Sequence, residues 1–116
     1  MKRAHADALL ECLPGPVSTK WPQGERFKAA LANGSMTVEL YAPRGTDPQT
    51  PHPQDELYFI HSGTATFTLE GESVECSAGE ALFVPAGAEH RFIDFSDDFA
   101  TWVVFWGPIG GEGATR

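Results

Sequence analysis

The chain has 116 residues, 41% hydrophobic and 21% charged, which suits one globular domain and is too short for two. Its net charge of −8 comes from 16 acidic and 8 basic residues, and the basic ones are scattered, which argues against nucleic acid and other anionic partners. No apolar run approaches the roughly 20 residues of a membrane span and the first residues lack a signal-peptide core, so a cytoplasmic protein with no membrane partner is expected.

The first segment, to Leu13, has Ala6, Leu9, Leu10 and Leu13 at helical spacing, and Pro14 stops it. A short helix over 1–16, used for packing or pairing, is the expectation. From Val17 to Trp106 short runs of Val, Phe, Thr and Tyr alternate with Gly, Pro, Asn and Asp turns. Asn33-Gly34 sits between two such runs, a strong hairpin signal. Further strands are expected at Leu57–His61, Thr64–Leu69, Ser73–Cys76, Ala81–Val84, Glu89–Phe95 and Ala100–Trp106. Strands with no intervening helix mean an all-β sandwich or closed barrel. Residues 107–116 are glycine-rich and are expected to form a flexible tail. The run Ala100–Trp106 is apolar on both faces, more than one buried sheet face requires, so a homodimer is expected. Cys12 and Cys76 are far apart and read as free thiols.

Two segments carry chemistry. In the first, Thr50, His52, Glu56, Tyr58 and Ile60 have equal parity, so an extended chain presents them to one face, while His61 points away. In the second, Pro85-Ala86-Gly87-Ala88 forms a turn that delivers His90 to a new strand with Phe92 and Asp94 on its face. Two imidazoles and a carboxylate suit a first-row divalent metal, although a lone pair of distant histidines is more often structural.

The segments His52-x3-Glu56-x6-Gly63 and Gly79-x5-Pro85-x-Gly87-x2-His90 resemble the two motifs of the cupin superfamily. The resemblance implies a double-stranded β-helix, the jelly-roll barrel, over 17–106. It further implies one divalent ion, Fe, Mn, Ni or Zn, held by His52, Glu56 and His90. Three positions depart from the family pattern: Thr50 stands where it has a histidine, Asp94 where it has asparagine, and Gly45 lies one residue late. Thr50 is a weak donor that leaves room for water or substrate. Thr50, Tyr58, Leu82, Val84, Phe92 and Asp94 are then expected to wall a pocket for a small-molecule ligand or substrate, with Tyr58 as an acid or hydrogen-bond donor. The implied functions are a metal-dependent, oxygenase-like enzyme or a non-catalytic small-molecule binder. A sugar-phosphate isomerase would need Arg or Lys aimed at phosphate, and Arg91 has the wrong parity for that.

Overall fold

The computed structural model describes residues 1–113. One short helix, α1 (Ala6–Leu10), precedes eight strands: β1 (Phe27–Asn33), β2 (Met36–Tyr41), β3 (Asp55–Ser62), β4 (Thr64–Leu69), β5 (Glu72–Ser77), β6 (Ala81–Val84), β7 (His90–Ile93) and β8 (Ala100–Trp106). They form a five-stranded sheet of order β1-β2-β8-β3-β6 and a three-stranded sheet of order β5-β4-β7. All pairings are antiparallel. The architecture is a mostly-β barrel with one short N-terminal helix, as the family resemblance and the apolar spacing of the first segment implied.

Turn chemistry explains the hairpins. Asn33 pairs with Met36, so the β1–β2 loop is Gly34-Ser35, one residue later than Asn33-Gly34. Gly34 has φ +58° and Ser35 does not share the positive φ, which matches a turn whose first central residue must be left-handed. Gly63 is fixed by space as well as by its φ of +77°. A Cβ there would lie 2.8 Å from Asp98 Oδ1 and from the Phe99 Cα, and closer still to Ser96 Oγ. The β3–β4 corner closes against the segment before β8, so only glycine fits.

The core lies between the sheets. Tyr58 and Phe92 are fully buried with centroids 4.8 Å apart and planes at 75°, and Phe92 meets Phe99 at 4.8 Å and Phe67 at 5.0 Å. Such edge-on and tilted contacts add to the area term of burying each ring. The register places Glu39, Val103 and Tyr58 in one inward row, with Glu56 and Phe105 in the next. The other face of the large sheet carries Leu40 opposite Trp102 and Val104 opposite Leu57. Leu40 is fully buried there because α1 lies against β1 and β2. Double-sided burial of β2 and β8 thus accounts for part of the apolar run Ala100–Trp106 within one chain.

The C-terminal segment is held more firmly than its glycines suggested. Gly107 N donates to Ser35 Oγ at 3.0 Å, Gly110 N to Pro53 O at 2.8 Å, and Glu112 N to Asp55 Oδ2 at 3.0 Å. The backbone donors find acceptors on the barrel rim. Residues 114–116 of the expected tail lie outside the described residues.

One buried carboxylate ties the layers together. Asp47, on the long β2–β3 connection, is 4% exposed. It accepts from the Tyr41 hydroxyl, from Gln49 N at 3.2 Å, from Gln49 Nε2 at 2.8 Å and from Phe92 N at 2.8 Å. Replacing Asp47 by Ala strands these donors, and unsatisfied buried donors cost about 1–3 kcal/mol each before relaxation. Asp47→Ala should lower stability by about 3 kcal/mol or more in urea unfolding, with Asp47→Asn losing less because one acceptor oxygen remains.

Candidate functional site

The site forms where the β2–β3 connection crosses the inward face of the large sheet. Glu56, at the start of β3, pairs with Phe105 of β8 on one side and Val84 of β6 on the other, so its side chain points inward. His90, first residue of β7, sits opposite Leu69 of the small sheet and is 3% exposed. The turn before it is pinned by Gly87 N donating to the His52 carbonyl at 2.8 Å and Ala86 N donating to Asp55 Oδ1 at 3.0 Å. The second motif segment is therefore fastened to the first through backbone and carboxylate contacts.

His90 Nε2 lies 3.2 Å from Glu56 Oε1. Despite this approach the atoms are not aligned as a hydrogen bond, and Glu56 Oε1, Glu56 Oε2 and His90 Nε2 are all buried without a partner. His90 Nδ1 is 2.9 Å from the Ala88 carbonyl, which can only accept, so Nδ1 carries a proton. In neutral His90 the lone pair is then on Nε2, facing a carboxylate. Three acceptor atoms meet with no donor among them, an arrangement that a proton or a metal cation stabilises. Burial works against the imidazolium, but the Glu56 carboxylate and the Ala88 carbonyl outweigh it and raise the His90 pKa above its ordinary value.

His52 behaves differently. Its ring stacks on Phe105 with centroids 3.7 Å apart and planes at 21°. Its Nδ1 accepts the Gln54 N–H at 3.2 Å, which places the proton of the neutral ring on Nε2. Burial holds its pKa below the usual value. In this position His52 is a neutral donor with no free ring lone pair. Among the described residues no three His, Cys, Asp or Glu side chains come together closely enough to hold a metal ion. The donor set thus fits a cation at Glu56 and His90, while His52 joins only if Gln54 N is released.

The other expected site residues separate into groups. Thr50, His52 and Glu56 line one cavity of about 250 Å³, together with Glu39, Tyr41, Gln49 and Phe105. Tyr58, Val84 and Phe92 are core residues. The Tyr58 hydroxyl donates its proton to Gln49 Oε1 at 2.8 Å. Burial pushes that hydroxyl far above its ordinary pKa, with Glu56 adding to the effect, so Tyr58 stays neutral and orients Gln49. Leu82 is partly buried and opens on a separate groove beside Phe67 and Val74. Asp94 does not face the cavity. The strand ends at Ile93, Asp94 takes φ +51°, and its side chain lies on the outside with Thr64, Glu75 and Glu80. His61 points away as expected, with Nε2 3.9 Å from Asp7 Oδ1.

Glu39 is the residue that pattern reading missed. It lies inward on β2, opposite Ala29 and Val103. Burial raises its pKa to about 7, with repulsion from Glu56 as the second cause. Its folded value lies above the unfolded one, so its contribution to stability is full below about pH 4.5 and is lost as pH rises through about 7. In metal-chelated protein Glu39→Gln should therefore be the more stable form above pH 7, by on the order of 3 kcal/mol, with the difference shrinking toward pH 4.5. Urea unfolding across that range reads it, and a pH-independent difference would contradict the burial argument.

Comparison with known proteins agrees with this architecture. An uncharacterized protein of Streptomyces coelicolor is 42% identical over 80 residues, covering 67% of this chain and 76% of the relative. A solved structure from Ralstonia eutropha, provisionally named a mannose-6-phosphate isomerase, superposes with a TM-score of 0.63 at 24% identity over 93% of this chain and 100% of that one. A cupin 2 conserved barrel domain protein from Salinispora arenicola gives 0.60 at 19% identity over 70% and 74%. The cupin domain model matches residues 37–106, which takes in β2 through β8 and both segments that meet at Glu56 and His90. By that match and by the Streptomyces relative, the chain belongs to the cupin family.

Proposed function

We propose that this cupin binds a divalent metal ion at Glu56 and His90 and takes a small organic molecule into the cavity lined by Glu56 and His52. One observation carries the reading: Glu56 Oε1, Glu56 Oε2 and His90 Nε2 are buried together without a hydrogen-bond partner, and with His90 neutral all three are acceptors. Imidazole with carboxylate suits Fe, Mn, Ni or Zn. When bound, such an ion supplies Lewis acidity and open coordination positions. The chain's own residues do the rest. The Ala88 carbonyl fixes the His90 tautomer, and the Asp47–Gln49–Tyr58 relay holds the Gln49 amide at the cavity wall. His52 serves as a third ligand by giving up the Gln54 contact.

Oxygenase-like turnover is the enzymatic form of this proposal, and metal-assisted binding without turnover is the other. A sugar-phosphate isomerase finds less support: Glu39 and Glu56 face the cavity and, among the described residues, Lys20 is the single Lys or Arg lining it, a balance that repels phosphate. Metal analysis of protein purified without a histidine tag tests the reading. Near-stoichiometric metal in the wild type should fall at least tenfold in Glu56→Gln and in His90→Ala, both still folded. Unchanged metal content in the two variants, or none in the wild type after incubation with each ion, would overturn it. Oxygen uptake against diketones, catechols and keto acids then separates turnover from binding.

We further propose that a second copy covers the outer face of the large sheet. Phe59 is 45% and Phe83 52% exposed there, and the Phe83 ring lies 6.2 Å from that of Trp106. Apolar side chains clustered on one face are the mark of an interaction surface. Light scattering should give a dimer at micromolar concentration and a shift toward monomer in Phe83→Glu. A monomeric wild type would refute it.

A further inference from the structure

The cavity has a second half that the metal proposal leaves unused. Trp21, from the segment ahead of β1, meets Phe27 at 6.0 Å with planes at 58° and Tyr41 at 6.1 Å with planes at 74°. Rings at such steep angles make a corner rather than a stack, and all three line the cavity. Glu39 lies on the same strand and face as Tyr41, and its cross-strand neighbour on β1 is only Ala29, which leaves space over the carboxylate. Neither ion pair found among the described residues involves Glu39. Lys20 is exposed on the ridge shared with a neighbouring cavity. Arg26 is turned to that other cavity, with its Nε donating to the Ala42 carbonyl at 2.8 Å. Deeper in, the Glu56 carboxylate is 1% exposed, lines the same cavity and has no hydrogen-bond partner.

We infer that the cavity recognises a small organic cation, an ammonium group seated on the Trp21–Phe27–Tyr41 corner with Glu39 as its counter-charge. Aromatic faces attract a cation through their quadrupole, most strongly when it is desolvated, and a carboxylate at the rim adds charge complementarity. A neutral ligand of the same shape would fill the corner and leave Glu39 desolvated and unanswered. An anion would face two carboxylates. The inference deepens the proposed function by naming the ligand class: Glu56 is given to the metal, and Glu39 is left to meet the ligand.

The probes are choline and its neutral isostere 3,3-dimethylbutan-1-ol, titrated into the full chain by calorimetry and by tryptophan fluorescence, with metal content measured on the same samples. Choline should bind at least tenfold more tightly than the isostere. Glu39→Gln should lose at least tenfold in choline affinity while isostere binding and metal content stay unchanged. Trp21→Leu should weaken both probes and remove the fluorescence response. Equal affinity of the wild type for choline and isostere, or no choline binding, overturns the inference, and this comparison needs no variant. Choline binding that depends on Glu39 in protein holding no metal would sustain the inference and sink the metal reading. Stoichiometric metal with no choline preference would do the reverse.

Discussion

The structure depends most on the carboxylate of Asp47, buried between the two sheets. It sits on the connection between β2 and β3, outside both strands, yet it gathers donors from β2, from its own loop and from the backbone of β7. A buried polar group is costly unless its lone pairs are filled, and here they are filled by groups that are themselves fixed. The contact therefore works in both directions. The sheets solvate Asp47, and Asp47 fastens the β2–β3 connection across the barrel mouth.

That fastening sets the geometry of the site. Gln49 is held through its amide by Asp47 and through its oxygen by Tyr58, so Thr50 and His52 leave the connection at a defined place. Asp55 repeats the device one layer out, accepting from Ala86 N in the turn ahead of His90 and from Glu112 N in the C-terminal segment. Two carboxylates, acting as acceptors for loop backbone, bring segments from distant parts of the sequence to within hydrogen-bond distance. Glu56 contrasts with both. It is as deeply buried but has no donor, which is why it reads as a site and they read as scaffold.

The two faces of the large sheet divide the work. Its inner face combines a core of tilted aromatic rings with the carboxylates Glu39 and Glu56, while its outer face is covered by α1 at one edge and leaves Phe59 and Phe83 exposed toward the other. A strand buried on both sides loses the simple alternation of apolar and polar residues. In β2 the alternation inverts: Val38 and Leu40 lie on the outer face, and Glu39 and Tyr41 point to the interior.

Local patterns in the sequence determined the strands, the hairpins and the all-β class, because turn residues and period-two runs act over a few residues. Spacing also marked Glu56 and His90, and the motif glycine Gly63 holds a corner where no other side chain fits. Only the tertiary structure decided the rest. Glu39 is invisible in the pattern of β2, whose apolar residues face a helix rather than the core. Asp94 shares parity with His90 and Phe92, but parity counts only while the strand continues, and the chain turns left-handed at that residue. His52 carries the right spacing, yet a backbone amide two residues on takes its ring nitrogen. Each of these outcomes depends on what packs against the residue from elsewhere in the chain, and that is settled when the sheets close and not before.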